Sequence, residues 1–82
     1  MSDFIEVRTA LPSQADANKI AQHLVAERLA ASAQVSGPIS SAYWWKGEMT
    51  NAEEWIVTAK TRHIFYDKIE QAIRCLHPYV HV

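Results

Sequence analysis

Cysteine, glycine and proline are scarce in this 82-residue chain, which holds one, two and three of them respectively. A single cysteine, Cys75, cannot form an intramolecular disulfide, so a secreted fold dependent on disulfides is not expected. With glycine only at positions 37 and 47, there is no phosphate-cradling loop, dinucleotide fingerprint or nucleophile elbow. Eight basic residues face nine acidic ones for a net charge of −1, and the basic ones are scattered from Arg8 to Arg74. No basic stripe exists to release counterions from a phosphate backbone, which argues against a nucleic-acid partner. No run approaches the ~20 apolar residues of a membrane span, so no membrane partner is expected. Met1-Ser2-Asp3-Phe4 lacks the basic and apolar regions of a signal peptide, and the expected address is the cytoplasm.

Apolar residues, by contrast, are plentiful. They make up 49% of the chain, including three Trp and three Tyr, which is much apolar area for so small an interior. The length fits one domain, residues 1–82, with part of that area covered by another subunit.

Phe4 to Thr9 alternates apolar and polar residues, the period of a half-buried strand. Leu11-Pro12-Ser13 breaks it, and Ser13 with Asp16 forms a short capping box for a helix from Gln14 to about Ala30. Ala17, Ile20, Ala21, Leu24 and Leu29 are the apolar stripe of that helix. Val35 to Trp45 is read as a second strand, bent at Gly37-Pro38, where proline removes a ladder donor. Lys46-Gly47 is a two-residue turn, and Glu54 to Thr61 a third strand rich in β-branched and aromatic residues. From His63 the period becomes helical, with Phe65, Ile69, Ala72, Ile73 and Leu76 on one face until His77-Pro78 stops it. Tyr79 to Val82 alternates again as the stub of a fourth strand. The order predicts an α+β fold of ferredoxin-like type, βαββα(β), an antiparallel sheet with two helices on one face.

The pleat adds a second expectation. Neighbours on a strand point to opposite faces, so Trp44 and Trp45 cannot both lie beneath the helices, nor can Trp55 and Ile56. An isolated two-layer domain then leaves a large aromatic of each strand in water, and such patches mark an interface. Trp44, Trp45 and Trp55 are therefore the expected contacts between copies.

Enzyme chemistry finds no constellation. Glu53 and Glu54 are adjacent, but strand neighbours diverge and a solvated pair is the plainer reading. Cys75 lies beside the apolar stripe of the second helix as a small, inert residue. His77 and His81 are four apart, yet Pro78 prevents one helix from presenting both. His77 alone suits the negative end of the second helix.

Four stretches, in order, carry a resemblance. They are Ala26-Glu27-Arg28-Leu29-Ala30-Ala31, Tyr43-Trp44-Trp45-Lys46-Gly47-Glu48, Lys60-Thr61-Arg62 and Leu76-His77-Pro78-Tyr79. With them the chain resembles, over nearly its whole length, the CutA family of divalent-cation tolerance proteins. The resemblance implies a homotrimer of ferredoxin-like subunits, similar in architecture to the PII signalling proteins, and a role in divalent-cation tolerance or response without enzymatic activity. Family chains continue past His-Pro-Tyr with a full strand and a short helix, whereas this sequence reads to Val82. The family's copper ligands, a cysteine late in the first strand and adjacent histidines before the proline, correspond here to Arg8 and to Leu76-His77. His77 is thus the one metal-ligand candidate, and copper the divalent cation in question. Glu27, Tyr43, Trp45, Lys60 and Tyr79 are expected to gather at a cleft between subunits. There they form either a site for a small anion, metabolite or ion, or an interface ion pair with aromatic packing. The two functional classes are a ligand-responsive signalling module and a structural trimer that serves as a platform for other proteins.

Overall fold

In the computed structural model, residues 3–76 are described. Strand β1 (Phe4–Leu11) leads into helix α1 (Gln14–Ala26), then into the long strands β2 (Ser32–Trp45) and β3 (Glu48–Arg62). A 3-10 turn, His63–Phe65, opens helix α2 (Tyr66–Leu76). The sheet is antiparallel with β3 in the middle, in the order β1-β3-β2. This is the ferredoxin-like α+β plan that the sequence predicts. The Tyr79–Val82 stub and the His77-Pro78 stop lie outside the described residues.

The helix starts as the capping box requires: Ser13 is extended and its hydroxyl accepts the Asp16 backbone N–H at 3.2 Å. Its end corrects the expected boundary at Ala30. Arg28 adopts φ 59°, and the N–H groups of Leu29 and Ala30 both turn back to the Leu24 carbonyl. That left-handed residue closes the helix near Ala26 as a glycine usually does, satisfying the last-turn carbonyls without one. The released segment reaches the sheet at once, because Ala31 donates to the Lys60 carbonyl at 2.9 Å.

Register decides which side chains the helices cover. Ile5, Val7, Thr9 and Leu11 stand opposite Thr61, Ala59, Val57 and Trp55. Directly opposed residues share a face. Leu11, Val57 and Ala59 on that face join Ile20, Leu24, Ile69 and Ile73 from the helices in one buried core. The other face carries Glu6 against Lys60, Arg8 against Thr58 and Ala10 against Ile56. Trp55 is consequently half-buried against its own chain's core, and Ile56 takes the open face. The expectation that β3 leaves a large aromatic in water is corrected by this register.

β2 and β3 are longer than their apolar patterns suggest, starting at Ser32 and Glu48 rather than Val35 and Glu54. The extra length is a hairpin built on Lys46-Gly47, both at positive φ (52° and 79°), the combination of a type I′ turn. A register shift between Ser36 and Ile39 marks the bend expected at Gly37-Pro38. Among the described residues, no helix is long and apolar enough to cross a membrane.

Candidate functional site

The predicted site residues fall at two separated ends of one strand. Glu27 caps α1, and the loop after it is tied to β3 by the Ala31–Lys60 backbone bond and by the Thr61 hydroxyl donating to the Leu29 carbonyl. Glu27 and Lys60 thus share one end of the molecule, both exposed, with no ion pair between them. Tyr43 and Trp45 belong to the other end. Tyr43 pairs with Thr50 and Trp45 with Glu48, ten and twelve residues along β3 from Lys60. At ~3.3 Å per residue, the nearer separation is roughly 30 Å. One chain does not bring these four side chains together. Tyr79 and His77 lie outside the described residues.

The far end is a projecting aromatic tip. Trp44 is 74% exposed, Trp45 58% and Met49 68%, and Lys46 places its ammonium 5.7 Å from the centre of the Trp45 ring. Both faces of the hairpin are bare here because it extends beyond the helices. Trp44 and Trp45 therefore both stand in water, where the pleat alone requires only one.

The near end holds a groove of about 420 Å³ whose walls are mostly apolar: Phe4, Val25, Leu29, Ala30, Ala31 and Phe65. Arg28, Thr61 and Arg62 complete it. The Arg62 guanidinium lies 5.5 Å from the centre of the Phe4 ring, with Nε 3.7 Å from Asp3 Oδ2. Sequence reasoning identified Glu27 and Lys60 here and missed the groove. Its lining comes from three stretches distant in sequence, around Phe4, from Val25 to Ala31 and from Thr61 to Phe65, so no local pattern reveals it.

A smaller cleft of about 190 Å³ separates β1 from α2, with Arg8, Thr9, Tyr66, Glu70 and Arg74 among its lining residues. Among the described residues the Thr9 hydroxyl, buried there, has no hydrogen-bond partner. Arg74 meets Glu70 at 3.0 Å as an i,i+4 pair along α2. Tyr66 also donates to Glu70, and that hydrogen bond, with the carboxylate's charge, holds the phenol above its ordinary value.

A resident metal does not fit the described residues. No group of three or more His, Cys, Asp or Glu side chains converges among them. Where the resemblance implies metal ligands, the chain has Arg8, whose side chain is exposed and 3.8 Å from Glu6, and Leu76, whose side chain has no donor atom. Soft divalent metals require several nitrogen or sulfur donors held close together.

A twisted antiparallel sheet with both helices on one face, a polar open face and an aromatic hairpin defines a ferredoxin-like module without an evident catalytic centre among its described residues. Residues 5–82 match the family profile described as CutA1 divalent ion tolerance protein, and the chain belongs to that family. A divalent-cation tolerance protein CutA of Thermus thermophilus is 36% identical over 73 residues, 89% of this chain and 71% of that protein. The crystal structure of CutA1 from Oryza sativa superimposes with a TM-score of 0.93 at 26% identity, covering 98% of this chain and 73% of the other. The structure of the periplasmic divalent cation tolerance protein CutA from Archaeoglobus fulgidus gives 0.88 at 28% identity, covering 95% and 76%.

Proposed function

We propose that this chain works in divalent-ion tolerance or response as a self-assembling, non-enzymatic module, a homotrimer of PII-like architecture whose cleft between copies takes a small ligand or ion. One observation carries the reading. The residues expected at the cleft lie at opposite ends of β3, Glu27 and Lys60 at one and Tyr43 and Trp45 at the other, so only a second copy unites them. A Lys ammonium beside Tyr hydroxyls and a tryptophan, shielded from water by that second copy, suits a small anion or metabolite. Tolerance then depends on assembly and ligand response rather than on a resident metal held by the described residues. Copper(II) binds weakly and without fixed stoichiometry, because Arg8 and Leu76 occupy the positions that would need ligands. The proposed address is the cytoplasm, against a relative described as periplasmic, and cell fractionation decides it.

A thermal-shift screen of divalent metals, nucleotides and small oxyanions tests the proposal. A ligand specific for the folded assembly stabilises it by about 2.7 kcal/mol at a hundred times its dissociation constant. The expected result is a rise in melting temperature with at least one anionic metabolite, lost in Lys60→Ala. Silence across the screen, with the assembly intact, would instead assign the chain to a purely structural platform for other proteins.

A further inference from the structure

The groove at the near end of the molecule combines apolar walls with two cationic residues. Phe4, Val25, Leu29 and Phe65 line it together with Arg28 and Arg62. We propose that it binds a small carboxylate with a flat apolar body, an aryl-alkanoate such as phenylpropionate. The carboxylate meets Arg28 and Arg62, and the ring lies against Phe4, Val25 and Phe65. This site is built within one chain. It is separate from the cleft proposed above, since Glu27, Lys60, Tyr43 and Trp45 do not line it.

Size, lining and charge together select this ligand. At about 420 Å³ the groove falls within the ~300–1,000 Å³ of small-molecule sites. Phe4 is 65% exposed and Val25 42%, so apolar area remains for a ligand to cover, while Leu29 and Phe65 are anchored against the core. The neighbouring polar groups are already committed. Leu29 and Ala30 donate their N–H groups to the Leu24 carbonyl, Ala31 donates to Lys60, and the Thr61 hydroxyl donates to the Leu29 carbonyl. These bonds leave no cradle of N–H groups for a phosphate, and the guanidiniums remain as the donors. Arg28 forms no ion pair among the described residues. Arg62 lies 5.5 Å from the centre of the Phe4 ring, and its one ion pair among the described residues is with Asp3 at 3.7 Å, beyond hydrogen-bond distance. An exposed pair of that length is weak and exchanges for a ligand's carboxylate at little cost. A guanidinium stacked on a ring keeps its edge for the two oxygens of a carboxylate. The end of α1 does not oppose the charge, because the His23, Leu24 and Val25 carbonyls all accept N–H groups of the residues that follow.

Titration of the full chain with phenylpropionate, followed by amide correlation NMR, tests the proposal. Saturable shifts at millimolar ligand are expected in residues 25–31 and 61–65, and none in the Lys46-Gly47 turn. Arg28→Gln and Arg62→Gln, both at exposed positions, should each weaken binding about tenfold, the loss of a charge-assisted hydrogen bond. Far-UV circular dichroism checks that they fold. The neutral amide, phenylpropionamide, should bind the wild type about tenfold more weakly than the acid, a comparison that does not depend on either variant. Lys60→Ala, which removes the cleft proposed above, should bind phenylpropionate as the wild type does. A loss of binding in Lys60→Ala would move the carboxylate to that cleft and overturn the groove as its site. An amide that binds as tightly as the acid, inorganic phosphate that produces the same shifts at the same concentration, or a wild type without saturable shifts would each overturn it as well.

Discussion

The backbone of Gly37 lies against the Trp55 indole so closely that a Cβ placed there would come within 2.9 Å of Cδ1, and within 2.8 Å of the Glu54 carbonyl oxygen. Gly37 also has φ 145°, which L side chains rarely adopt. The bend at Ser36–Ile39 therefore depends on this glycine, and the bend directs the hairpin that carries Trp44 and Trp45. Gly37→Ala is expected to destabilise the fold by about 2 kcal/mol or more, through a backbone clash added to an unfavourable φ. Urea denaturation followed by tryptophan fluorescence measures it. A change below half that figure would mean that the bend relaxes without cost.

Tyr66 predicts a pH effect on the alkaline side. Its hydrogen bond to Glu70 and that carboxylate's charge favour the neutral phenol in the fold, so its folded pKa lies above the unfolded one. The contribution is fully present below the unfolded value of about 10 and is lost as pH rises through the folded value. Ultraviolet titration of the wild type, read as a difference against Tyr66→Phe, should place this ionisation above that of a free tyrosine. Glu70→Gln should bring it back down. An unchanged midpoint in Glu70→Gln would assign the shift to another cause.

Among the described strands, β1 is an edge, and Glu6 and Arg8 alternate along its exposed face 3.8 Å apart. Charged side chains blunt the tendency of sheet edges to pair with other chains. Glu6→Val with Arg8→Val is expected to aggregate at concentrations where the wild type stays dispersed. Light scattering that finds the two alike would show that these charges do not protect the edge.

Element types were legible in the sequence because local periodicity and burial agree along β1, the core of α1, the second half of β3 and α2. The first half of β3 was not. Asn51, Ala52, Glu53 and Glu54 have little strand propensity, and they are extended because the Lys46-Gly47 turn sets them opposite Ala42, Ser41, Ser40 and Ile39. The end of α1 was misread for a similar reason. Alanines continue the helical pattern to Ala31, while the stop is a left-handed arginine rather than a glycine. For Trp55 and Ile56, the sequence says that they part, and only the register against Leu11 and Ala10 says which way. The family stretches located Glu27, Tyr43, Trp45 and Lys60, but their division between two ends is a matter of strand length that no motif encodes.

The central claim is that separate copies of this chain complete one another, and sedimentation equilibrium at micromolar concentration tests it most directly. Trp44, Trp45 and Met49 stand largely in water on one copy, and their burial between copies is the expected source of affinity. The account predicts a single species at three times the chain mass of 9.3 kDa, shifting toward one copy in Trp44→Ser with Trp45→Ser. A wild-type species of 9.3 kDa across that range would contradict it.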